Sequence, residues 1–269
     1  MQKNSDFLTE SKTIQRLKSL KILLIGESCN DVYHYGECRR LSPEAPVPVF
    51  DWKYTSVCPG MAANVKANLE AFGCQVDVIT NDSKDLTKSR YVDLRSEHQL
   101  LRVDKGTKVH PLTIKDLLFR DFDEYDAIIF SDYDKGLIPW SIARSICINY
   151  SGKIFVDSKK TDLSCYDKSI IKINEFEEEQ YSELPDNCEL IVTLGKNGAK
   201  WNQHKFPAPS VNVYDVTGAG DVFLSTLSVL FSIGESMENS IQKAILMASK
   251  SVQYSGTYQL QKRDIEEIL

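Results

Sequence analysis

The residue types best suited to chemistry lie in VNVYDVTGAGDVF, residues 211–223, where an extended segment runs into an apolar helix. Gly218 and Gly220 stand at the turn, where glycine permits a positive φ and a close approach to the backbone. The amides of Gly218, Ala219, Gly220 and Asp221 would then converge at a helix N-terminus, which favours an anion. Such a site could stabilise the charge that develops on a transferring phosphoryl group.

Asp221 stands at the start of this helix and allows two interpretations. Its carboxylate could accept the proton of an attacking hydroxyl group, which is the work of a general base. Alternatively, it caps an ordinary glycine-rich turn. From this short motif alone the capping role is favoured, because a few glycines beside an aspartate are weakly specific.

The elements that must position these residues alternate between apolar strands and helices. Short apolar runs with polar ends predict strands buried on both faces. These runs fall at 21–26, 76–80, 126–132, 153–158, 169–174 and 190–195. Helical patterns lie at 61–72, 139–150, 174–181 and from 220 onward. The alternation predicts an α/β fold with a mainly parallel central sheet and helices on both faces, and sites in such sheets lie at the carboxyl ends of strands.

Two segments break this alternation. Residues 46–57 and 88–103 have extended, alternating patterns, which predict a small antiparallel lid beside the main sheet. No linker or internal repeat divides the chain, so residues 1–269 are predicted to form one domain. Ile14 and Leu17, with Leu20 beyond them, recur at helical spacing and predict a short docking helix near the N-terminus.

Composition argues against several classes of function. The net charge of −6 and the scattered basic residues argue against a nucleic-acid surface. No run of 18 apolar residues predicts a membrane span, and the polar N-terminus lacks the apolar core of a secretory signal. Seven cysteines without a C-x-x-C pair favour reduced thiols in a cytoplasmic protein over a zinc or redox site.

The segment DVTGAGDVF, residues 215–223, resembles the C-terminal signature D-T-x-G-A-G-D-x-F of the ribokinase/PfkB carbohydrate kinases. The resemblance implies a ribokinase-like fold with Asp221 as catalytic base. It also implies that Gly218, Ala219 and Gly220 form an anion hole. The general-base interpretation of Asp221 thereby becomes the preferred one.

The N-terminal half resembles one branch of that family, the heptose-phosphate kinases of ADP-heptose synthesis. Residues 26–50, which contain LSPEAPVP, are similar to its motifs G-D-x-x-x-D-x-Y-x-x-G and R-x-S-P-E-A-P-V-P-V. Further similar segments are HQLLRVD (98–104), SDYDKG (131–136) and VDSKKTD (156–162). The resemblance implies that Asp31 binds sugar hydroxyls and that Gly60 and Asn64, in PGMAAN, lie near the sugar.

A phosphate on the substrate would need a cation, and three are candidates. Lys159 is preferred because it follows a strand end, ahead of Arg102 and Arg40. Each of the three, taken alone, is also compatible with an ordinary surface charge.

The C-terminal half carries the features that the resemblance assigns to ATP. NEFE, 174–177, resembles N-x-x-E, which implies that Asn174 and Glu177 act at the Mg–ATP phosphates. Glu177 would reach Mg²⁺ through water, with no direct protein ligand; its alternative role is that of a solvated helix residue. TLGKNG, 193–198, resembles T-x-G-x-x-G, which implies that Thr193, Gly195 and Gly198 border the nucleotide.

Two departures from the family pattern stand out. Met61 replaces the second glycine of a G-G pair, and we expect it to add bulk and to remove the option of a positive φ. After Thr80 the chain leads almost at once into RYVDLR, so a helix and a strand that the family usually places there are missing. A shortened lid edge is expected to lower activity or to alter specificity.

The resemblance implies an ATP- and Mg²⁺-dependent sugar kinase that phosphorylates D-glycero-D-manno-heptose 7-phosphate at C1. One alternative is a kinase for another sugar or a nucleoside of the same family. The other is a catalytically weak member that binds a sugar phosphate or nucleotide as a sensor. The resemblance also implies a homodimer through the lid strands as a possible assembly.

Overall fold

A computed structural model describes residues 12–269 of the protein. Residues 12–19 form a helix, α1, and Leu17 and Leu20 are buried against the sheet while Ile14 is exposed. The apolar spacing near the N-terminus therefore predicted a docking helix correctly within this range. What was predicted for residues 1–11, including the absence of a secretory signal, lies outside the described residues.

The strands of the described chain fall into two sheets. In chain order they are β1 (Lys21–Gly26), β2 (Ser28–Leu41), β3 (Pro48–Met61), β4 (Gln75–Ile79), β5 (Thr87–Asp93), β6 (Gln99–Lys105), β7 (Ala127–Asp132), β8 (Lys153–Ser158), β9 (Ser169–Asn174), β10 (Cys188–Thr193), β11 (Ala199–Trp201) and β12 (His204–Phe206). The helices after α1 are α2 (Ala62–Ala71), α3 (Trp140–Asn149), α4 (Glu175–Glu178), α5 (Ala219–Ser232), α6 (Met237–Ser251) and α7 (Lys262–Glu266).

The larger sheet has the strand order β12-β11-β10-β9-β8-β7-β1-β4. The six strands from β10 to β4 pair in parallel, whereas β11 and β12 are antiparallel additions at one edge. The mainly parallel α/β sheet expected from the apolar runs is confirmed. The predicted strand at 190–195 ends earlier, at Thr193, because Gly195 adopts a φ of +53° and opens a short 3-10 turn.

Successive residues of the parallel strands face two separate cores. Ile22 and Leu24 of β1 pack with residues of α1, α2, α5, α6 and α7, while Leu23 and Ile25 pack with residues of α3. This alternation places helices on both faces of the sheet. Helix α5 is buried on all sides from Asp221 to Leu230, so its first turn is fixed within the interior of the fold.

The smaller sheet forms a lid with the order β3-β2-β5-β6. The pairs β2–β3 and β5–β6 are antiparallel, but β2 and β5 run parallel because the chain passes through β4 between them. The first lid strand, β2, continues from β1 after Glu27 alone and was not among the predicted lid strands. Asp93 ends β5 by accepting hydrogen bonds from the amide and hydroxyl of Ser96, which separates β5 from β6.

The chain between β4 and β5 is short. Residues 80–86 connect them directly, and β4 is the last strand at its edge of the central sheet. The side chain of Asn81 accepts a hydrogen bond from the Ser28 amide at 2.9 Å and donates one to the Ser28 carbonyl at 3.0 Å. The connection is thereby tied to the junction of β1 and β2 without an intervening helix.

Met61 differs from what its residue type predicts. We expected it to remove the option of a positive φ, but it adopts a φ of +58° and a ψ of −133° at the start of α2. Its side chain is buried with Cys29 and Leu86, and the following amide, of Ala62, donates to the Glu27 carbonyl at 2.9 Å. These contacts impose the glycine-like backbone on methionine, at a cost of about 1–3 kcal/mol. The expectation of a lost conformation was therefore wrong.

Candidate active site

The first turn of α5 is built on a left-handed residue. Gly218, the N-cap, has a φ of +80°, and a Cβ added there would lie 2.8 Å from the Asn64 Nδ2 atom. Both the backbone conformation and the close approach therefore require glycine at this position. The turn brings Gly218, Ala219 and Gly220 to one wall of a large cavity, together with Asp221.

Asp221 is a buried carboxylate with a hydrogen-bond donor on each oxygen. The Asn64 amide donates to its Oδ2 at 2.9 Å, and the Tyr133 hydroxyl donates to its Oδ1 at 3.0 Å. Burial raises the pKa of Asp221 to about 6, with Asp157 also raising it, while Asn64, Lys172 and Tyr133 act to lower it. A carboxylate that is ionised at neutral pH but has an elevated pKa is suited to accept a proton.

The predicted sugar residue Asn64 lies on α2 and is oriented by its own neighbours. The Asn68 side chain donates to the Asn64 carbonyl at 2.9 Å and to the Asn64 Oδ1 atom at 3.3 Å. The Asn68 Oδ1 atom in turn accepts from the Leu260 amide at 2.9 Å. This chain of contacts leaves the Nδ2 atom of Asn64 directed at Asp221, so the two predicted residues do meet.

Asp31 and Gly60 lie together on the lid strands β2 and β3. Asp31 forms a buried ion pair with Arg90 of β5 at 2.5 Å, and the Arg90 guanidinium lies 5.1 Å from the centre of the Tyr33 ring. A Cβ on Gly60, in β3, would lie 2.4 Å from the Asp31 Oδ2 atom. Only glycine at position 60 therefore avoids a clash with the Asp31 Oδ2 atom.

A chain of charges crosses the carboxyl ends of β8 and β9. Lys172 contacts Asp157 at 2.6 Å, Lys159 contacts Asp157 at 3.0 Å, and Lys159 also pairs with Glu177. Burial acts to raise the pKa of Asp157, but the two lysines outweigh it and hold the pKa at about 2. Burial acts to lower the pKa of Lys159, but Asp157 and Glu177 outweigh it and raise the pKa above its ordinary value. Asp157 and Lys159 are therefore both charged at neutral pH.

Lys172 was missed by sequence reasoning and lies beside the glycine turn. A Cβ on Gly220 would come within 2.9 Å of the Lys172 Nζ atom. The ammonium thus adds positive charge to the α5 N-terminus, where the macrodipole already favours an anion. Its signal in the sequence was a lone lysine within SIIKIN, a run predicted to be buried on both faces, because buried lysines are rare unless paired.

The predicted pair Asn174 and Glu177 forms a capping box at α4. The Asn174 side chain accepts from the Glu177 amide at 2.9 Å, and the Glu177 carboxylate accepts from the Asn174 amide at 2.9 Å. The other carboxylate oxygen of Glu177 faces Lys159. The N-x-x-E motif thus has a local structural role, and Asn174 also lines the large cavity.

The predicted residues Thr193, Gly195 and Gly198 line the same cavity. Gly198 has a φ of +92°, and a Cβ there would lie 1.9 Å from the Phe206 carbonyl oxygen. The Thr193 hydroxyl donates to the Ile173 carbonyl at 3.2 Å. This group therefore forms a tightly turned part of the cavity wall.

The cavity has a volume of about 890 Å³, which falls in the range of small-molecule and cofactor sites. Its polar end is formed by the residues of the glycine turn and the charge chain, including Lys159. Its apolar wall is formed by Val211, Val213, Phe223, Ile245, Ala248 and Val252. One cavity therefore joins a site for anionic groups to a surface suited to a flat apolar ring.

Two of the predicted phosphate-binding cations are not buried in a site. Arg102, on the exposed strand β6, pairs with Asp104 through two contacts, at 2.7 and 2.5 Å. Arg40 lies exposed near the end of β2. Nine residues of strand, about 30 Å, separate Arg40 from Asp31, so the structure does not bring Arg40 to the site.

The lid contributes a lysine that sequence reasoning missed. Lys88 lies two residues before Arg90 on β5, so both side chains are on the same face of the lid. The Lys88 Nζ atom is 5.0 Å from the centre of the Tyr133 ring, and Lys159 approaches the same ring at 5.6 Å. Tyr133, in the motif SDYDKG, was also not assigned a role. The alternation of TKSRYVD was the available signal for Lys88, but its meeting with Tyr133 depends on the tertiary fold.

Two features are absent from residues 12–269. No helix in this range is long and apolar enough to cross a bilayer. The same residues contain no cluster of three or more His, Cys, Asp or Glu side chains suited to hold a metal ion.

A buried carboxylate at a glycine-turned helix N-terminus, between a lid and a large cavity, is an arrangement suited to phosphoryl transfer to a small molecule. Residues 169–263 match the family model described as pfkB family carbohydrate kinase. Residues 169–263 therefore correspond to a pfkB family carbohydrate kinase domain, and the relatives and solved structures extend the similarity over more than nine tenths of the chain.

Curated relatives carry the name bifunctional protein HldE. The protein of that name from Nitratiruptor sp. is 30% identical over 298 residues, which cover 92% of this chain and 64% of that protein. The one from Helicobacter acinonychis is 30% identical over 308 residues, covering 93% and 66%. The chain thus spans slightly less than two thirds of these relatives. The alignments are longer than the 269 residues of this chain, which agrees with a segment missing here.

Solved structures share the fold. Phosphofructokinase-2 from Escherichia coli matches with a TM-score of 0.71 at 14% identity, covering 93% of this chain and 98% of that one. Ribokinase from Thermotoga maritima matches with a TM-score of 0.65 at 17% identity, covering 93% and 99%. The predicted ribokinase-like architecture is therefore confirmed.

Proposed function

We propose that this protein is an ATP-dependent kinase of a phosphorylated sugar, with D-glycero-D-manno-heptose 7-phosphate as the substrate and its C1 hydroxyl as the acceptor. The observation that carries the proposal is the Asp221 carboxylate, which is 4% exposed and lies at the α5 N-terminus with a donor on each oxygen. The names of the curated relatives and the motifs of residues 26–50 support the heptose phosphate as the particular substrate.

In this proposal Asp221 accepts the proton of the attacking sugar hydroxyl. The sugar oxygen forms the new bond to the γ-phosphorus as the bond to ADP breaks, and the proton ends on the Asp221 carboxyl group. The amides of Gly218, Ala219 and Gly220, with the Lys172 ammonium beside them, stabilise the negative charge of the transferring group. The work of these residues is positioning and electrostatic stabilisation.

ATP occupies the cavity in this proposal, with its base against the apolar wall and its phosphates towards the glycine turn. Thr193, Gly195 and Gly198 border the nucleotide, and Asn174 lies near its phosphates. Mg²⁺, when bound, neutralises phosphate charge, and it commonly keeps several waters and few protein ligands. The Glu177 carboxylate fits an outer position of this kind, because its two oxygens are already paired with Lys159 and the Asn174 amide.

The sugar lies between Asp31 and Asp221, beside Gly60 and Asn64. For its phosphate we now favour Lys88 over Lys159. Lys159 is already paired with two carboxylates, whereas Lys88 forms no ion pair among residues 12–269.

The test is ATP turnover by the purified protein against a panel of free sugars, sugar phosphates and nucleosides, with the Asp221→Asn variant as control. We expect the heptose 7-phosphate to be the best acceptor, with a product whose new phosphate is at C1 by ³¹P NMR. The variant should lose about 10³-fold or more of kcat, the scale on which a general base and its positioning act together.

Three outcomes would revise the proposal. Preference for another acceptor would replace the substrate and keep the reaction. Binding of sugar phosphate and ATP with no turnover above the Asp221→Asn control would instead identify a catalytically weak binding protein. Turnover that is unchanged in the variant would remove Asp221 as the base.

A further inference from the structure

Tyr133 is the one side chain that touches Asp221, the lid and the charge chain together, among the residues described. Its hydroxyl donates to the Asp221 Oδ1 atom at 3.0 Å. The Lys88 Nζ atom of the lid lies 5.0 Å from the centre of its ring, and the Lys159 Nζ atom lies 5.6 Å from the same centre. Cations at these distances are attracted to an aromatic ring and restrict its position.

The backbone of this tyrosine is fixed by a buried glutamate. The Glu27 carboxylate, between β1 and β2, accepts from the Tyr133 amide at 2.8 Å, the Lys135 amide at 3.0 Å and the Leu137 amide at 3.1 Å. Glu27 is fully buried, and three amides satisfy its two oxygens. These three hydrogen bonds fix the turn after β7, and the turn places the Tyr133 hydroxyl against Asp221.

We infer that Tyr133 is a positioning residue, whose hydroxyl orients the Asp221 carboxylate and keeps it ionised, and that Glu27 holds the turn that presents this hydroxyl. The catalytic role of Tyr133 rests on the proposed kinase function. The Tyr133 hydroxyl on Oδ1 and the Asn64 amide on Oδ2 leave each carboxylate oxygen one further lone pair. One of these lone pairs accepts a hydrogen bond from the hydroxyl of the sugar. A hydrogen bond to the charged form of a carboxylate favours that form.

The remaining charges around Asp221 do not replace this donor. Asp157 from β8 opposes the ionised form, and Lys172 from β9 favours it but is paired with Asp157. Burial raises the pKa of the Cys29 thiol on β2 to about 12, so that group stays neutral near pH 7. Burial, followed by Asp221 and Asp157, raises the pKa of Tyr133 well above its ordinary value, so its hydroxyl remains a donor.

The test is the Tyr133→Phe variant. Loss of a donor to the charged form should raise the pKa of Asp221, so the acid limb of the kcat profile should move up by about 0.5–1 pH unit. We expect kcat at pH 7 to fall by about 3–10-fold, with KM for both substrates within about twofold. The matched control is Tyr166→Phe, because the Tyr166 hydroxyl is also shielded within the fold but donates to Asp132. That control should leave the acid limb in place.

A second measurement does not require activity. In ¹³C spectra of protein labelled at aspartate carboxyl carbons, with Asp221→Asn for assignment, the Asp221 midpoint should rise in Tyr133→Phe. The Asp221 midpoint should fall when 3-fluorotyrosine is placed at position 133. This residue is a stronger hydrogen-bond donor than tyrosine and has nearly the same size. Burial and Asp132 raise the pKa of Glu27. Because only aspartate carboxyl carbons are labelled, a titration of Glu27 gives no signal of its own in these spectra.

An unchanged Asp221 midpoint in both replacements would overturn the inference, as would an equal shift in Tyr166→Phe. Absence of turnover in the wild-type protein would instead count against the proposed function. The two failures are thereby distinguishable, because the spectra decide the inference without substrate.

Discussion

At the scale of single residues, Asp221 holds a charge in surroundings that oppose it. It is buried and faces the ionised Asp157, and only Asn64, Tyr133 and Lys172 favour its charged form. A residue in that position should lower the stability of the fold while it serves the site. Asp157, which lines the same cavity, is the opposite case, because two lysines stabilise its charge.

The Asp221→Asn variant should therefore be more stable than the wild type at pH 8, by about 1–3 kcal/mol. The folded pKa, about 6, is above the ordinary value of 3.8. The wild type therefore loses stability relative to the variant as the pH rises from about 4 through 6. Below pH 4 the two proteins should have equal free energies of unfolding. Urea unfolding at pH 4 and pH 8 measures the difference.

Asp157→Asn provides the contrasting control. It leaves Lys172 buried without its partner, which costs about 3–5 kcal/mol, so this variant should be less stable at pH 8. Equal destabilisation by both asparagines would contradict the assignment of Asp221 as the strained carboxylate.

At the scale of elements, the start of α2 shows how tertiary contacts override a residue preference. Met61 retains a glycine-like backbone because its buried side chain and the Ala62 amide are both fixed. Sequence reasoning located the elements well wherever burial on both faces gives a strand an uninterrupted apolar run, as in β8 and β9. It missed β2 as a lid strand, because functional motifs interrupt the apolar alternation of that segment.

Replacement of Met61 by glycine and by alanine should separate packing from backbone strain. Both changes remove the buried side chain, but only glycine relieves the positive φ. We expect Met61→Gly to be more stable than Met61→Ala by about 1 kcal/mol in urea unfolding. At Ala62, within α2, the order should reverse, with Ala62→Gly less stable than the wild type. A glycine at 61 that is no better than alanine would show that the backbone there is not strained.

At the scale of the whole molecule, the site exists only where the lid meets the central sheet. Asp221, Gly218 and Asn64 could be identified from motifs, since their residue types carry the chemistry in short segments. Lys88, Tyr133 and Lys172 could not, because their roles depend on distances between β5, the turn after β7 and β9. The sequence likewise favoured Lys159 for a substrate phosphate, while the fold engages that lysine with Asp157 and Glu177.

Lys88→Met should test the contribution of the lid. Loss of a cation that contacts a substrate phosphate should raise KM for the sugar phosphate about tenfold. KM for ATP should stay within about twofold, since the cavity proposed for the nucleotide does not include Lys88. Lys105→Met is the matched control, because Lys105 lies on β6 with its side chain on the opposite lid face from Arg102 and Asp104. An equal effect of both changes would indicate a general loss of positive charge.

The short connection after β4 has a consequence for self-association. A sheet that ends at β4 presents a row of unpaired amides and carbonyls to other chains, which is a template for aggregation. Two features counter this hazard: β4 has only five residues, and Asp77 places a carboxylate at its centre, held by the Tyr125 hydroxyl at 2.7 Å. The opposite edge ends in β12, with three residues. We therefore expect Asp77 to oppose edge-to-edge pairing, which a longer chain could instead prevent with an additional strand.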